Sequence, residues 1–169
     1  MRCKMMKESM IQVICGPGRG KTTSAIGRGL TALTKGKCVY MVQFLKGALD
    51  VDNMEIIQRL EPEFKIFRFE KTPVFFDRLT EEEKAEARIC ILNGLNFARK
   101  VLVTGECDVL ILDEILGILD EGVISGDELC AIIAQARNAQ IQLILTGTIY
   151  PDCLNGHVDE VTRIQTRYE

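Results

Sequence analysis

The residues with the clearest chemistry lie between positions 15 and 23, which read Cys-Gly-Pro-Gly-Arg-Gly-Lys-Thr-Thr. An apolar run precedes this segment and an amphipathic one follows it, so it is predicted to join a strand to a helix. Glycines let backbone N–H groups turn toward a phosphate, and the first turn of the helix offers further unpaired N–H groups. We therefore predict a nucleotide triphosphate site. Its phosphate-binding residues are Gly16, Gly18, Arg19, Gly20, Lys21, Thr22 and Thr23.

Two side chains of this loop have separate roles. The ammonium group of Lys21 supplies a mobile positive charge for the outer phosphates, and the hydroxyl of Thr22 can ligate Mg²⁺, which prefers oxygen. Only three residues separate Gly16 from Gly20, where the usual phosphate loop has four before its Gly-Lys pair, and Cys15 stands where that loop has its first glycine. The alternative interpretation, a glycine-rich turn before a helix, is less consistent with the Gly-Lys-Thr sequence in this context.

A second candidate site is Asp113-Glu114, which follows the apolar run Val-Leu-Ile-Leu. Ligands of open α/β sheets bind at the carboxyl ends of the strands, so these carboxylates are predicted to hold the metal, directly or through water. The alternative is that they are acidic residues at the start of a helix, stabilised by its dipole. Considered with Lys21 and Thr22, the metal role is favoured. Thr22, Asp113 and Glu114 are therefore the candidate metal ligands, and Lys21, Thr22 and Glu114 the candidate catalytic residues.

The surrounding sequence alternates short apolar runs with amphipathic ones. This order predicts an α/β fold, with a mainly parallel sheet covered by helices on both faces, in a single domain over residues 10–169 after a flexible segment, 1–9. Capping boxes at Thr80 and Ser125 predict the starts of two of the helices. Strands are predicted at 10–15, 38–44, 64–69, 109–112, 141–145 and 158–164, helices at 22–34, 51–60, 80–103 and 125–136, and a loop at 71–79.

Composition excludes several classes of protein. Lys plus Arg number 21 against 24 for Asp plus Glu. The chain thus lacks the excess of basic residues that is typical of nucleic-acid-binding proteins. No apolar run is long enough to span a membrane, and the charged start lacks the apolar region of a signal peptide. The seven cysteines include no Cys-x-x-Cys pair, which favours a reducing cytoplasm and disfavours zinc. The only histidine, His157, is interpreted as a surface residue of a loop.

With these motifs in view, the chain resembles the P-loop ATP:corrinoid (cob(I)alamin) adenosyltransferases of the BtuR/CobO type. The loop is similar to the family's Gly-x-Gly-Lys-Gly-Lys-Thr-Thr, including its short spacing. Further similar segments are Val-Gln-Phe-Leu-Lys-Gly at 42–47, Leu-Asp-Glu at 112–114, Leu-Thr-Gly at 145–147, Pro151, and Val-Asp-Glu-Val-Thr at 158–162. They keep the family's order from residue 10 to residue 164.

This resemblance implies a P-loop NTPase-like fold and a reaction. ATP and Mg²⁺, or Mn²⁺ in its place, would bind the loop, and a corrinoid reduced to Co(I) would attack the 5′ carbon of ATP. Triphosphate would leave as a cobalt–carbon bond forms, in adenosylcobalamin synthesis or salvage. The family's reversed nucleotide orientation would point the 5′ carbon at the corrin. The resemblance also implies a homodimer and an electron donor such as a flavoprotein.

Departures from the family pattern add candidate residues. Arg19 replaces the second loop lysine, and Thr148 stands where the family has an arginine. Thr31 also occupies a usual arginine position, and Arg28, on nearly the same helical face, is the candidate replacement at the nucleotide site. The chain has no tryptophan. Phe75 and Phe76 are the candidates for an aromatic contact to the corrin, with ordinary loop packing as the alternative.

Two other functions stay open from the residues alone. One is a different P-loop NTPase or nucleoside kinase, in which Glu114 would polarise water or an acceptor hydroxyl. The other is a non-catalytic relative that binds nucleotide or corrinoid without turnover. Formation of intact triphosphate together with a cobalt–carbon bond distinguishes adenosyl transfer from both.

Overall fold

A computed structural model describes residues 9–44, 55–69 and 78–169. Its strands are β1 (Ile11–Cys15), β2 (Val39–Gln43), β3 (Phe64–Arg68), β4 (Val109–Asp113), β5 (Gln142–Thr146) and β6 (Glu160–Arg163). Its helices are α1 (Lys21–Leu33), α2 (Glu55–Gln58), α3 (Glu81–Thr104), α4 (Ile115–Asp120) and α5 (Gly126–Asn138), with a 3₁₀ turn at Asp152–Leu154.

The strands form one six-stranded sheet in the order β3-β2-β4-β5-β1-β6, and every pairing is parallel. Strands β1, β2 and β4 are buried along their whole length, as expected for a parallel sheet covered on both sides. Apolar residues of α1 and α2 pack on one face, and those of α3, α4 and α5 on the other. The predicted α/β class, with helices on both faces, is confirmed.

Local sequence signals place the two long helices of the second face. Thr80 accepts a hydrogen bond from the Glu83 backbone N–H and the Glu83 carboxylate accepts one from the Thr80 backbone, which completes the predicted capping box. Ser125 and Glu128 form the same reciprocal pair at the start of α5. Each box satisfies two backbone donors that a helix start would otherwise leave unpaired.

The structure differs from the sequence prediction in a few places. Helix α4 was expected only in the alternative interpretation of Asp113-Glu114 and without bounds, because it has only six residues, is apolar on most sides and contains Gly117. The 3₁₀ turn was not predicted. The predicted helix 51–60 is described only from residue 55, where one turn is present. Residues 1–8, 45–54 and 70–77 lie outside the described residues. They include nearly all of the predicted flexible segment 1–9 and most of the predicted loop 71–79. Across the part that is described, no helix has both the length and the apolar composition to cross a membrane.

Candidate active site

The phosphate loop leaves β1 at the carboxyl edge of the sheet and turns directly into α1. Gly16 has φ 119°, and a Cβ atom there would lie 2.3 Å from the carbonyl oxygen of Ile164, so only glycine fits. Gly20 caps α1 in the left-handed region with φ 104°. The chain therefore makes a tight turn that directs the first N–H groups of α1 toward the end of the loop, as the predicted anion site requires.

The segment after β6 fixes the shape of this loop. The Gly18 N–H donates to the Ile164 carbonyl at 3.0 Å, and the Arg19 N–H donates to the Thr166 hydroxyl at 2.9 Å. On the other side, the Gly16 N–H donates to the Thr148 carbonyl at 2.9 Å. These bonds occupy the N–H groups of the first half of the loop. The backbone N–H groups of Gly16, Gly18 and Arg19, three of the predicted phosphate-binding residues, therefore have partners within the protein.

Lys21 lies across the mouth of the loop. Its ammonium nitrogen donates to the Gly16 carbonyl at 2.8 Å and to the Gly18 carbonyl at 2.9 Å. An ammonium group has three donors, so this bridge leaves a further N–H for a ligand. The loop carbonyls thus hold the Lys21 side chain in position, and its charge lies beside the start of α1.

The structure brings the loop and the acidic motif together, although 91 residues separate them in the sequence. The Thr22 hydroxyl lies 3.0 Å from Asp113 Oδ1 and 3.2 Å from Asp113 Oδ2. Asp113 is fully buried at the end of β4. Gln43 Nε2 donates to its Oδ2 at 3.1 Å, and the Thr146 hydroxyl donates to its Oδ1 at 2.7 Å. Asp113 is therefore fixed from three directions.

Glu114 follows in a strained backbone conformation. Its φ of 63° lies in the left-handed region, which costs a residue with a side chain about 1–3 kcal/mol and is most common at functional sites. Its backbone N–H donates to the Thr146 hydroxyl at 2.8 Å, so one threonine holds both acidic residues. Glu114 is also the N-cap of α4, without a side-chain cap bond. The turn places it, half buried, at the edge where the loop lies.

The donors near Thr22 suit magnesium. The hydroxyl of Thr22 and the carboxylate of Asp113 offer only oxygen, the donor that Mg²⁺ prefers. Among the described residues, no group of three or more His, Cys, Asp or Glu side chains forms a metal cage. Magnesium usually takes one or two protein ligands and completes its shell with water and substrate phosphates. The residues present therefore fit Mg²⁺ bound together with a nucleotide.

A cavity of about 460 Å³ opens beside the loop, between residues 15–17, 148–150 and 163–165. The Arg163 guanidinium lies 5.9 Å from the centre of the Tyr150 ring on its wall. Partial burial raises the pKa of the Tyr150 hydroxyl. Ile149, 60% exposed, forms part of the rim. An aromatic ring, a guanidinium and an apolar rim give this cavity walls suited to a flat, polar group.

Other predicted site residues lie elsewhere. Arg28 is seven residues beyond Lys21 on α1, about 10 Å along the helix axis. Its guanidinium donates to Glu160 at 2.6 Å and to the Thr162 hydroxyl at 2.8 Å, so the structure places it against β6 and not at the loop. Arg19 and Thr23 are exposed at the loop and the first turn of α1. Phe75 and Phe76 lie outside the described residues.

Sequence reasoning missed four contributors to the site, which are Gln43, Arg68, Thr146 and Thr166. Gln43 and Thr146 stood only inside segments similar to the family, with no role attached. A polar residue within the last positions of an otherwise apolar strand was the available signal for both. Thr166 gave no such signal, because its bond to the loop depends on where β6 ends.

The chain matches the family described as ATP:corrinoid adenosyltransferase BtuR/CobO/CobP over residues 7–168. It is 30% identical to a corrinoid adenosyltransferase of Pseudomonas aeruginosa over 143 residues, covering 83% of this chain and 67% of the relative. It is 28% identical to the corrinoid adenosyltransferase of Escherichia coli K12, covering 83% and 68%, and 26% identical to that of Salmonella typhimurium, covering the same shares. With a match over most of its length, this chain belongs to the ATP:corrinoid adenosyltransferase family.

Proposed function

We propose that this protein transfers the 5′-deoxyadenosyl group of ATP to the Co(I) centre of a reduced corrinoid. The observation that carries the proposal is the contact of the phosphate loop with the acidic motif, Thr22 to Asp113, in a chain of this family. The cobalt electron pair forms a bond to the 5′ carbon, the bond from that carbon to oxygen breaks, and triphosphate leaves with the bonding electrons. The family match favours this reaction over phosphoryl transfer.

The leaving group determines what the protein must supply. Triphosphate gains charge as the bond breaks, so fixed cations and N–H donors around it lower the barrier. Lys21, bridged to the loop carbonyls, and the N–H groups at the start of α1 are the fixed donors. Arg19 adds a second cation at the exposed side of the loop. Co(I) has no proton to lose, so no general base is needed.

Magnesium would be held by Thr22 and Asp113, with Glu114 beside them. The bound ion supplies charge neutralisation to the triphosphate as it departs. Asp113 keeps its direction through Gln43 and Thr146, and Glu114 is kept at the edge by its backbone bond to Thr146. Mn²⁺ takes similar oxygen ligands and would serve in the same place.

The corrinoid side of the proposal rests on residues outside the described part of the chain. Phe75 and Phe76 are proposed to contact the corrin. A homodimer, a flavoprotein electron donor and a cytoplasmic location complete the proposal, all supported by family membership.

The direct test is a spectrum of the protein mixed with ATP, Mg²⁺ and chemically reduced cobalamin. We expect the light-sensitive bands of an alkylcobalamin to grow with the wild-type chain. Lys21→Ala should lower the initial rate by about 100-fold or more, because it removes a fixed cation from the departing charge. Lys100→Ala, an exposed lysine on α3, is the matched control and should keep the wild-type rate. Equal rates for Lys21→Ala and wild type would contradict the assignment of the loop.

A further inference from the structure

We infer that Gln43 and Arg68 are positioning residues that hold Asp113 in place for the metal. The inference deepens the proposed function, because it concerns the same site of Mg²⁺ and ATP. Neither residue is part of the phosphate loop or the acidic motif, and neither is proposed to touch the substrate. Together with Asp113 they form a row of side chains, the Arg68–Gln43–Asp113 relay.

Strand register creates this row. Gln43 pairs with Arg68 across β2 and β3, and with Asp113 across β2 and β4. Residues paired in this way point to the same face of a sheet. That face carries α1, since Met41, Phe64 and Ile111, two or four residues earlier in the three strands, pack in the same core as Ala25 of α1. The relay therefore ends under the first turn of α1, where Thr22 lies.

The hydrogen bonds have only one consistent direction. Arg68 Nε donates to Gln43 Oε1 at 2.8 Å, and Gln43 Nε2 donates to Asp113 Oδ2 at 3.1 Å. A guanidinium can only donate and a carboxylate can only accept, so the amide of Gln43 must place its oxygen toward Arg68 and its nitrogen toward Asp113. Arg68 thereby reinforces the amide orientation that presents Nε2 to Asp113.

Two of the three relay residues are buried, so water cannot easily take the place of a lost hydrogen-bond partner. Gln43 is 3% exposed and Asp113 is fully buried, so water has little access to substitute for a lost partner. Arg68 is the exposed end, on the edge strand, beside a cavity of about 290 Å³ that it lines with Phe64 and Ile66. Its substitution should therefore act on Asp113 through Gln43 and leave the core in place.

Metal sites depend on such supporting bonds. Removing a group that orients a metal ligand commonly lowers metal affinity or activity by about 10–100-fold. Asp113 Oδ2, the oxygen bound by Gln43, is also within 3.2 Å of the Thr22 hydroxyl. Without Gln43 the carboxylate keeps the Thr146 and Thr22 hydroxyls but loses the amide donor on Oδ2, so the direction in which that oxygen is offered to Mg²⁺ is less well defined.

The experiment is a titration of a fluorescent ATP analogue at increasing Mg²⁺ and in EDTA, without corrinoid. The variants are Gln43→Leu, Arg68→Met and the double variant. We expect each single variant to raise the Mg²⁺ concentration for half-maximal binding about 10-fold, with binding in EDTA unchanged. The double variant should show no more than the larger single effect, because both changes break one relay.

Two controls separate positioning from general loss of structure. Gln142→Leu removes a half-buried amide that donates to Gln12 at 2.9 Å at the opposite end of the sheet, and Arg59→Met removes an exposed arginine of the same type. Both should keep the wild-type Mg²⁺ dependence. If Gln43→Leu does not fold, the test is a comparison of Arg68→Met with Arg68→Lys, which retains a hydrogen-bond donor. The Mg²⁺ concentration for half-maximal binding should then lie closer to the wild-type value in the lysine variant than in the methionine variant.

The inference would be overturned by wild-type Mg²⁺ dependence in Gln43→Leu and Arg68→Met. Single effects that multiply in the double variant, equal shifts in the controls, or an equal loss of binding in EDTA would overturn it as well. If the wild-type chain shows no Mg²⁺-dependent binding of the ATP analogue, the proposed function and the relay are both contradicted. Normal binding with no adenosyl transfer would contradict the proposed function alone.

Discussion

At the scale of single residues, the backbone and the side chains of this site hold each other in place. Lys21 depends on the carbonyls of Gly16 and Gly18 for its position, and Asp113 depends on Gln43 and Thr146. The charged groups are thus held in fixed directions by bonds within the protein itself. Such preorganisation is what allows fixed charges to stabilise a departing anion without rearrangement.

The hydroxyl of Thr166 gives a prediction about loop shape. Thr166→Val removes the acceptor of the Arg19 N–H, while Thr166→Ser keeps it. A hydrogen bond of this kind contributes about 0.5–1.5 kcal/mol, so ATP affinity should fall by roughly 2- to 10-fold in the valine variant. Calorimetric titration with ATP and Mg²⁺ measures the difference. Valine and serine variants of equal affinity would show that this bond does not shape the loop.

The sequence was sufficient to predict the site residues that belong to short contiguous motifs. The loop and the Asp113-Glu114 pair carry their own residue types and sit between predictable elements, so their meeting at one edge of a parallel sheet could be expected. The relay through Gln43 and Arg68 could not, because it depends on the register of β2 and β3. Arg28 was assigned to the nucleotide from helical spacing, and its actual partner, Glu160, comes from an edge strand whose position the sequence does not specify.

At the scale of elements, α1 is the part that joins the loop to the sheet. It packs closely on the sheet at Gly29, where a Cβ atom would lie 2.6 Å from Phe64 Cε2 and 3.3 Å from Ile111 Cδ1. A larger residue would push α1 away from β3 and β4. Because α1 also carries Thr22 at its start, close packing at Gly29 supports the contact between Thr22 and Asp113.

Two glycines of α1 form a matched pair for a stability test. Gly29→Ala should lower the free energy of unfolding by about 1–3 kcal/mol, because the new methyl group overpacks against the Phe64 ring. Gly27→Ala, on the same helix with nothing within 4 Å of its Cβ position, should raise it by about 0.5–1 kcal/mol. Urea unfolding measures both. If the two variants changed the free energy of unfolding in the same direction, the close packing of α1 on the sheet at Gly29 would be contradicted.

The element boundaries show where sequence patterns were sufficient. Capping boxes and apolar periodicity placed α3 and α5 within about two residues, because those signals are local. The bounds of α4 could not be predicted, because it is one short apolar segment that begins directly after a strained residue, Glu114, and has no side-chain cap. Its position follows from packing at the end of β5, where a Cβ atom at Gly147, the residue after the strand, would lie 2.3 Å from Leu116 Cβ.

Across the molecule, edge strand β6 is the element that links the side of the sheet to the phosphate loop. It carries two ion pairs near its start, Arg28 with Glu160 at 2.6 Å and Arg137 with Asp159 at 3.0 Å. Its end continues into the segment that binds the Gly18 and Arg19 N–H groups. Loss of β6 from the sheet would therefore also break these two bonds to the phosphate loop.

Acid should weaken this edge. The hydrogen bond from Arg28, with a further one from Gln12, lowers the pKa of Glu160 below its ordinary 4.5. Partial burial raises the pKa of Asp159, but bonds from Arg137 and the Ile11 N–H outweigh it, so this pKa also lies below its ordinary 3.8. Both groups bind more protons in the unfolded chain. Their stabilisation is therefore present above those ordinary values and is lost as pH falls through the lowered ones.

Thermal unfolding between about pH 6 and pH 3 tests this linkage. The wild-type midpoint should fall toward acid, and Arg28→Met should reduce that fall, because Glu160 then loses its main stabilising partner in the folded state. Arg59→Met, which removes an exposed charge elsewhere, should leave the pH dependence unchanged. Parallel curves for Arg28→Met and wild type would show that the Glu160 pair does not contribute.

In the proposed reaction, the bond broken in ATP joins the 5′ carbon to oxygen. Phosphorus NMR of a reaction with reduced cobalamin, ATP and Mg²⁺ tests it most directly, with the cobalt–carbon product followed in the same sample by its absorbance. We expect one intact triphosphate for each adenosylcobalamin formed. Orthophosphate or ADP, with the corrinoid unchanged, would contradict it.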